Sequence, residues 1–349
     1  MKKFLKTTML TAALTFGAVA LAGCNDSSEV QPDIFGSSSV GSGTVLATNR
    51  GITVYSQDFL YFFRNYLNQE EMSLRMMGMD DEEIANFFAQ EMMPGQTLTD
   101  MISEQAMTDA IEQAILVHLA TDAGFTYDEE IFTQMMNEMN SILESMAAEA
   151  GQTPDEVFYE MFGVDLAAAA DIQRNMLIIS AFIDGKADTI QVSEADVQNF
   201  VNENRITFER ELGLEAHVAH VLVEDEALAE EILARLNAGE DVADLARDYS
   251  VDPGSNMTGG DYEFPRGMMV PSFEDWAFNA NPGDTGIVPS DFGFHVMYAI
   301  GRQHLEDHLD ITIAMEQYRA ARAMEQITEM LEEFRANWDI NYDILENLF

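Results

Sequence analysis

The sequence predicts an α+β protein, mainly α-helical, with a small α+β domain of antiparallel sheet and surrounding helices inserted in its second half. Three observations carry this. Apolar residues recur with helical spacing from Ser56 to about Phe208. At Leu214 the pattern changes to β-branched alternation with short helices between. Helical spacing then resumes from Ile313 to Phe334, where Met324, Ile327, Leu331 and Phe334 share one stripe. A chain of 349 residues with 47% apolar content can bury a substantial core.

Taken from the N-terminus, Lys2, Lys3 and Lys6 precede a short apolar stretch, Met9 to Ala22, that ends in Leu21-Ala22-Gly23-Cys24. A run this short with these flanks is read as an export signal (1–23) and not a membrane span. The cysteine at its end resembles the lipobox of bacterial lipoproteins. That resemblance implies acylation of the Cys24 thiol and anchoring to the outer face of a membrane. An ordinary cleaved signal with an incidental cysteine is the alternative. Cys24 is the sole cysteine, so no internal disulfide is expected. Residues 24–44, rich in Gly and Ser, read as a flexible tether.

A helical domain is expected over 45–212. Val45 to Tyr55 reads as a strand broken by a turn at Asn49-Arg50-Gly51. Helices are expected at 57–77, 81–92, 128–150, 154–162 and 165–183, with Gly151 and Gly163 as stops. Met107, Ile111, Ile115 and Leu119 mark one face of a further long helix ending before Gly124. Ser193 is an N-cap, and no strand is expected between Ser56 and Phe208. Residues 213–301 form the second domain: a strand at His217–Val223, helices at 227–236, 241–249 and 272–278, and strands at 287–288 and 294–300. The stretch between the last two helices, rich in Gly and Pro, is expected to be a loop. Residues 302–349 supply a helix and a tail that return to the helical domain, with a strand at 338–342.

Charge narrows the partners. With 17 Lys+Arg against 62 Asp+Glu, the formal charge is −45. Such a surface repels nucleic acid and anionic headgroups, whose binding needs cations to neutralise phosphates. The acidity also has a plain alternative role in keeping the chain soluble.

Chemistry enters in the second domain. Ala219-His220-Val221-Leu222-Val223, Gly239-Glu240-Asp241-Val242-Ala243-Asp244-Leu245-Ala246, Tyr249-Ser250-Val251-Asp252, Gly259-Gly260-Asp261, Arg266-Gly267-Met268-Met269-Val270-Pro271-Ser272-Phe273, Asn281-Pro282-Gly283-Asp284 and Phe292-Gly293-Phe294-His295 follow one another in order. This series resembles the parvulin-type peptidyl-prolyl isomerases. With the lipobox and the helical flanks, most of the chain is similar to the PrsA-like foldase lipoproteins.

The resemblance implies isomerisation of X–Pro bonds in unfolded exported polypeptides, without cofactor, metal or covalent intermediate, outside a membrane of the Gram-positive kind. It implies that Met269, Phe273 and Phe264 grip the proline ring. His220 and His295 are the paired histidines beneath it, Asp252 lies beside the substrate carbonyl, and Ser290 supports the histidines. Two departures stand out. Gly259-Gly260-Asp261 is followed by Tyr262-Glu263-Phe264, where the family often has Leu-Gly and one residue more before its aromatic. Glu224, Asp225 and Glu226 occupy the place where phosphate-directed members carry basic residues, which argues against a phosphorylated client.

Structural alternatives remain open from the residues alone. The histidines suit a buried, mutually bonded pair that orders a sheet. Met269 and Phe273 suit a plain core, and Asp252 before Pro253-Gly254 suits a turn. His217 is expected on the opposite strand face from His220 and not in the site. The 23 methionines cluster at Met76-Met77-Met79, Met92-Met93 and Met135-Met136-Met139. They fit either helical cores or adaptable client-binding surfaces, and exposure would favour the latter. The rival functions are a non-catalytic holdase and a structural envelope protein. A homodimer through the helices also stays open.

Overall fold

The computed structural model describes residues 43–345 and 348. The expected signal peptide, Cys24 and the tether up to residue 42 lie outside them. The chain divides into two compact units. The first holds the residues up to Ile190 and those from Arg319 onward; the second is Gln191–Tyr318.

The first unit opens with a hairpin, β1 (Val45–Asn49) and β2 (Ile52–Tyr55). Arg50 and Gly51 turn it with φ of 48° and 87°, the doubly positive geometry whose twist matches that of paired strands. Six helices follow: α1 (Ser56–Met76), α2 (Asp81–Ala89), α3 (Leu98–Asp122), α4 (Glu129–Ala150), α5 (Pro154–Phe162) and α6 (Leu166–Thr189). Their starts are capped by side chains. Thr97 and Asp100, and Thr153 and Glu156, form reciprocal boxes, and Asp128 and Asp165 accept from first-turn amides. α4 and α5 end at the left-handed Gly151 and Gly163. The expected helix 81–92 stops at Ala89 because Pro94 cannot continue it. Residues Glu91–Met93 (β3) and Gln96–Thr97 (β4) pair instead across Pro94-Gly95, so strands do occur in this region.

Two apolar clusters fill this unit. Phe59, Phe63, Leu67, Leu74, Ile84, Phe88, Met107 and Phe158 build one; Ile52, Ile115, Phe182, Ile327 and Leu331 build the other. α3 serves both, through Met107 and Ile115. α6 is long and apolar enough to cross a membrane, yet Ala168, Ala169, Ile172, Met176, Ile179 and Phe182 are buried within the unit. The C-terminal tail closes the sheet: Asp339–Ile340 pairs with β1, and Asn49 Nδ2 donates to Phe334 and Ala336 carbonyls at 2.8 and 3.1 Å.

The second unit is larger than the expected 213–301. α7 (Glu194–Glu203) and α8 (Arg205–Glu211) belong to it, through a core of Val197, Val201, Phe208, Leu214, Leu305 and Ala314. Arg266 ties α8 down. Its Nε lies 2.6 Å from Glu209, both side chains almost wholly buried, and its guanidinium covers the Phe278 ring at 4.2 Å. A buried pair of this kind resists separation, since either charge alone would be left in low dielectric.

Its sheet has the order β6 (Asp261–Pro265), β5 (Glu215–Val223), β8 (Gly293–Arg302), β7 (Thr285–Ser290), all antiparallel. β6 lies in the stretch expected to be a loop. Its five residues are too few for a visible alternation, and Pro265 suits an edge strand, which needs no donor on its outer side. Strand alternation splits the faces. Val221, Val223 and Val296 pack on α9 (Glu226–Asn237) and α10 (Val242–Tyr249). Ala216, Val218, Phe264 and Met297 pack on α11 (Pro271–Asn279). The chain continues into a short α12 (Leu305–His308). It leaves the second unit at Tyr318, within α13 (Ile311–Arg335).

Candidate active site

Alternation puts His220 on the α11 face of central β5, in line with Ala216 and Val218. On β8 the same rule puts His295 there with Met297. Both histidines are buried, at 3% and 6% exposure. Their Nδ1 atoms are 3.0 Å apart, and the Phe273 ring meets each edge-on at a centroid distance of 5.1 Å. Gly260 lets the next segment close over β5: its carbonyl accepts from His220 N at 2.9 Å, and a Cβ there would fall 2.1 Å from the His220 carbonyl oxygen.

Asp252 follows α10. Its Oδ2 lies 3.0 Å from His220 Nε2, 2.6 Å from Ser255 Oγ and 3.1 Å from the Tyr262 hydroxyl. Gly254 N donates to Oδ1 at 3.0 Å. Burial pushes the Asp252 carboxyl upward, but the bonds from Ser255, Gly254, His220 and Tyr262 outweigh it and lower it to about 2. At the other end Ser290 Oγ is 2.8 Å from His295 Nε2 and accepts from Phe292 N at 3.1 Å.

Burial lowers both histidines. Asp252 opposes this for His220, while the charge of His220 adds to it for His295, which falls to about 4. Both rings are therefore neutral at pH 7 beside an ionised carboxylate, and one proton arrangement joins Asp252, His220, His295 and Ser290. His220 Nε2–H donates to Asp252. His220 Nδ1 is then the acceptor for His295 Nδ1–H, and His295 Nε2 accepts from the Ser290 hydroxyl. The chain of bonds points one way, towards a fixed negative charge.

Met269, ahead of α11, and Phe273, in its first turn, belong to one apolar cluster; Met269 is half-buried and Phe273 almost wholly enclosed. Phe264 is also enclosed, with ring contacts to Phe273 at 5.8 Å and Phe278 at 6.1 Å. His220, Asp252, Ser290 and His295 thus come together with Phe273, which Phe264 touches, and Met269 packs on the same apolar cluster as these two rings. His217 points away and pairs with Asp261 at 2.5 Å. Sequence reasoning missed Ser255 and Tyr262, because their segment was read as structureless. The available signal was a serine three residues after Asp252, and a tyrosine where the resembled family often has leucine. Around these residues Met257, Met268 and Phe292 are 80%, 69% and 65% exposed, each within two residues of Ser255, Met269 or Ser290. Among the described residues no group of three or more His, Cys, Asp or Glu is arranged to hold a metal ion.

The chemical capacity of such a site is electrostatic: an apolar wall beside an anion of set orientation. Comparison with known proteins agrees with it. The PPIC-type PPIASE domain family matches residues 195–303, which span the whole sheet and α7–α8. The chain is 29% identical over 263 residues to Foldase protein PrsA of Halalkalibacterium halodurans, covering 72% of this chain and 74% of that one. It is 25% identical over 294 residues to Foldase protein PrsA of Caldanaerobacter subterraneus subsp. tengcongensis, covering 84% and 81%. Among solved structures, the peptidylprolyl isomerase PrsA of Bacillus cereus covers 72% of this chain, and 93% of its own length is matched, with 25% identity and a TM-score of 0.41. Residues 195–303 match the isomerase domain family and foldase relatives align along most of the length: the chain is similar to the parvulin-type peptidyl-prolyl isomerases in its site domain and to the PrsA foldases over most of its extent.

Proposed function

We propose that this protein works outside the cytoplasm, where its second unit speeds cis–trans isomerisation of X–Pro bonds in exported polypeptides and its helical unit holds them unfolded. The observation that carries the reading is the one-way hydrogen-bond chain ending on an ionised Asp252, next to the Met269–Phe273 cluster.

The rotation barrier of the peptide bond is about 18–20 kcal/mol. For X–Pro the isomers differ by only about 0.5–1 kcal/mol, so the task is kinetic. A planar amide carries partial negative charge on oxygen; twisting breaks the resonance and returns electron density to nitrogen. An anion held near that oxygen destabilises the planar form more than the twisted one, which is selective help to the transition state. In this reading Met269 and Phe273 take the proline ring and Phe264 braces Phe273. Asp252 supplies the anion, and the neutral His220–His295–Ser290 chain fixes its direction. Met257, Met268 and Phe292 offer apolar contact to residues flanking the proline. Exposed Glu224, Asp225 and Glu226 disfavour phosphorylated clients.

For the holding role, α1 and α3 run antiparallel, since Tyr66 bonds Asp109 and Ile52 shares a core with Ile115. The end of α1, the β3–β4 hairpin and the start of α3 therefore meet at one end of the unit. Met76, Met77, Met92, Met93 and Met101 are 37–78% exposed there. The nearby cation Arg75 is already paired with Glu71 and Asp81. Adaptable thioethers within acidic surroundings suit apolar or basic unfolded segments. The proposed lipid anchor is Cys24, and Cys24→Ala should move the protein from the membrane fraction to the medium; retention would discard the anchor.

A protease-coupled tetrapeptide assay tests the isomerase. The wild type should accelerate the slow phase, and Met269→Ala or Phe273→Ala should lose most of that acceleration. A wild type no faster than buffer would leave only the holding role.

A further inference from the structure

Tyr262 is not needed to complete the histidine chain, yet its hydroxyl reaches the one charged atom on which that chain ends. The residue stands on edge strand β6 opposite Val218 of β5, on the α11 face. Its ring packs on the apolar cluster of Phe264 and Phe273 and sits 5.5 Å from the His220 ring. The hydroxyl, 3.1 Å from Asp252 Oδ2, donates, because an ionised carboxylate only accepts. Oδ2 thereby gathers His220, Ser255 and Tyr262, whereas among the described residues Oδ1 takes the Gly254 amide.

A second, independent observation concerns Gly254. Its φ is not in the left-handed region, so backbone conformation does not call for glycine. Space does: a Cβ at this position would lie 2.5 Å from the Tyr262 hydroxyl oxygen, but 3.4 Å from Asp252 Oδ1 and 3.8 Å from Tyr262 Cζ, both ordinary contacts. The missing side chain is matched to the hydroxyl alone.

We propose that Tyr262 is a positioning residue for the isomerisation: its hydroxyl, admitted by the bare Gly254, pins the Asp252 carboxylate in one rotamer and leaves the Oδ1 edge for the client carbonyl. This rests on the isomerase reading. Without the hydroxyl the carboxylate keeps its charge but loses one of the bonds that set its direction, so the cost falls on the twisted state and not on client binding. The departure Tyr262-Glu263-Phe264 from the family's leucine-containing pattern then has a physical use. The shortened segment puts a donor where an aliphatic side chain has none.

The test is a two-residue cycle on the full chain, using the tetrapeptide assay, thermal melts and a 13C carboxyl titration of Asp252. Tyr262→Phe should lower kcat about three- to tenfold with KM little changed, the signature of an interaction made in the transition state. It should also move the Asp252 carboxyl titration to higher pH, since one donor to the charged form is gone. Gly254→Ala should lower kcat and Tm in the native background by displacing the hydroxyl. In the Tyr262→Phe background the same change should add little, because the 2.5 Å conflict no longer exists. An unaltered kcat and carboxyl titration in Tyr262→Phe, or an equal cost of Gly254→Ala in both backgrounds, overturns the proposal. If the wild type itself fails to catalyse, the isomerase reading falls instead. The carboxyl titration and the melts then still decide whether the Tyr262–Asp252–Gly254 coupling exists.

Discussion

The two units bury ionisable groups that respond to acid in opposite directions. In the helical unit Asp58, in the first turn of α1, is pushed up to about 6 by burial, with Asp171 adding to the rise and a bond from the Tyr55 amide opposing it. In the sheet unit burial drives His220 down and His295 down to about 4. One unit therefore tolerates a proton on its buried acid, while the other excludes protons from its buried bases. The difference follows from what each group does. Asp58 has a local helix-start bond that a neutral carboxyl largely keeps. The histidines cannot both be protonated while Nδ1 faces Nδ1, because two protonated rings would set donor against donor.

The largest effect expected from breaking this contrast comes from Phe273→Ala. The ring is enclosed against both histidines and Phe264, so removing it should cost roughly 3–5 kcal/mol in the sheet unit. Hydrogen exchange should show amides of β5 and β8 losing protection, along with the loss of isomerisation. Protection that is retained there would mean the ring is not part of the core it adjoins.

A smaller, reversible effect follows from pH. An unfolded histidine titrates near 6.5, so between about 6.5 and 4 the unfolded sheet unit binds more protons than the folded one. Its stability is lost progressively as pH falls through that window. For Asp58 the unfolded value is 3.8 and the folded about 6, so the folded helical unit binds more protons between them and gains stability as pH falls. From pH 7 to 5, exchange corrected for intrinsic rates should speed up in β5 and β8 and slow or stay level in α1. A change of the same sign in both would refute the opposition.

The smallest effect is expected at an exposed cap. Thr153 Oγ1 accepts from Glu156 N at 3.2 Å and donates to that residue's carboxylate at 2.8 Å, so Thr153→Ala should cost about 0.5–2 kcal/mol in the helical unit. Melting monitored at α5 should drop while tetrapeptide kcat/KM stays put. A change in catalysis would show that the units are less separable than their buried groups suggest.

Much of the fold was legible because its signals are local. The cap at Ser193 and the stops at Gly151 and Gly163 act within a turn of the helix they delimit. The β5 and β8 strands show their alternation over nine and ten residues. β3, β4 and β6 were invisible because two to five residues cannot display a period; each exists through its partner strand. The extent of the second unit was likewise hidden. Arg266 and Glu209 are 57 positions apart, and neither announces that it will be buried.

What the sequence alone determined is the class of the protein and the chemical cast of its site: residue order, helical and alternating periods, and one histidine motif per central strand are properties of neighbouring positions. Only the tertiary structure decided the state of that cast. Whether His220 and His295 are neutral, whether Asp252 is an anion, and why Gly254 lacks a side chain depend on burial and on partners that stand from 2 to 75 residues away. Desolvation and hydrogen-bond direction arise only when distant segments close on one another, so linear order could name the participants and not their charges.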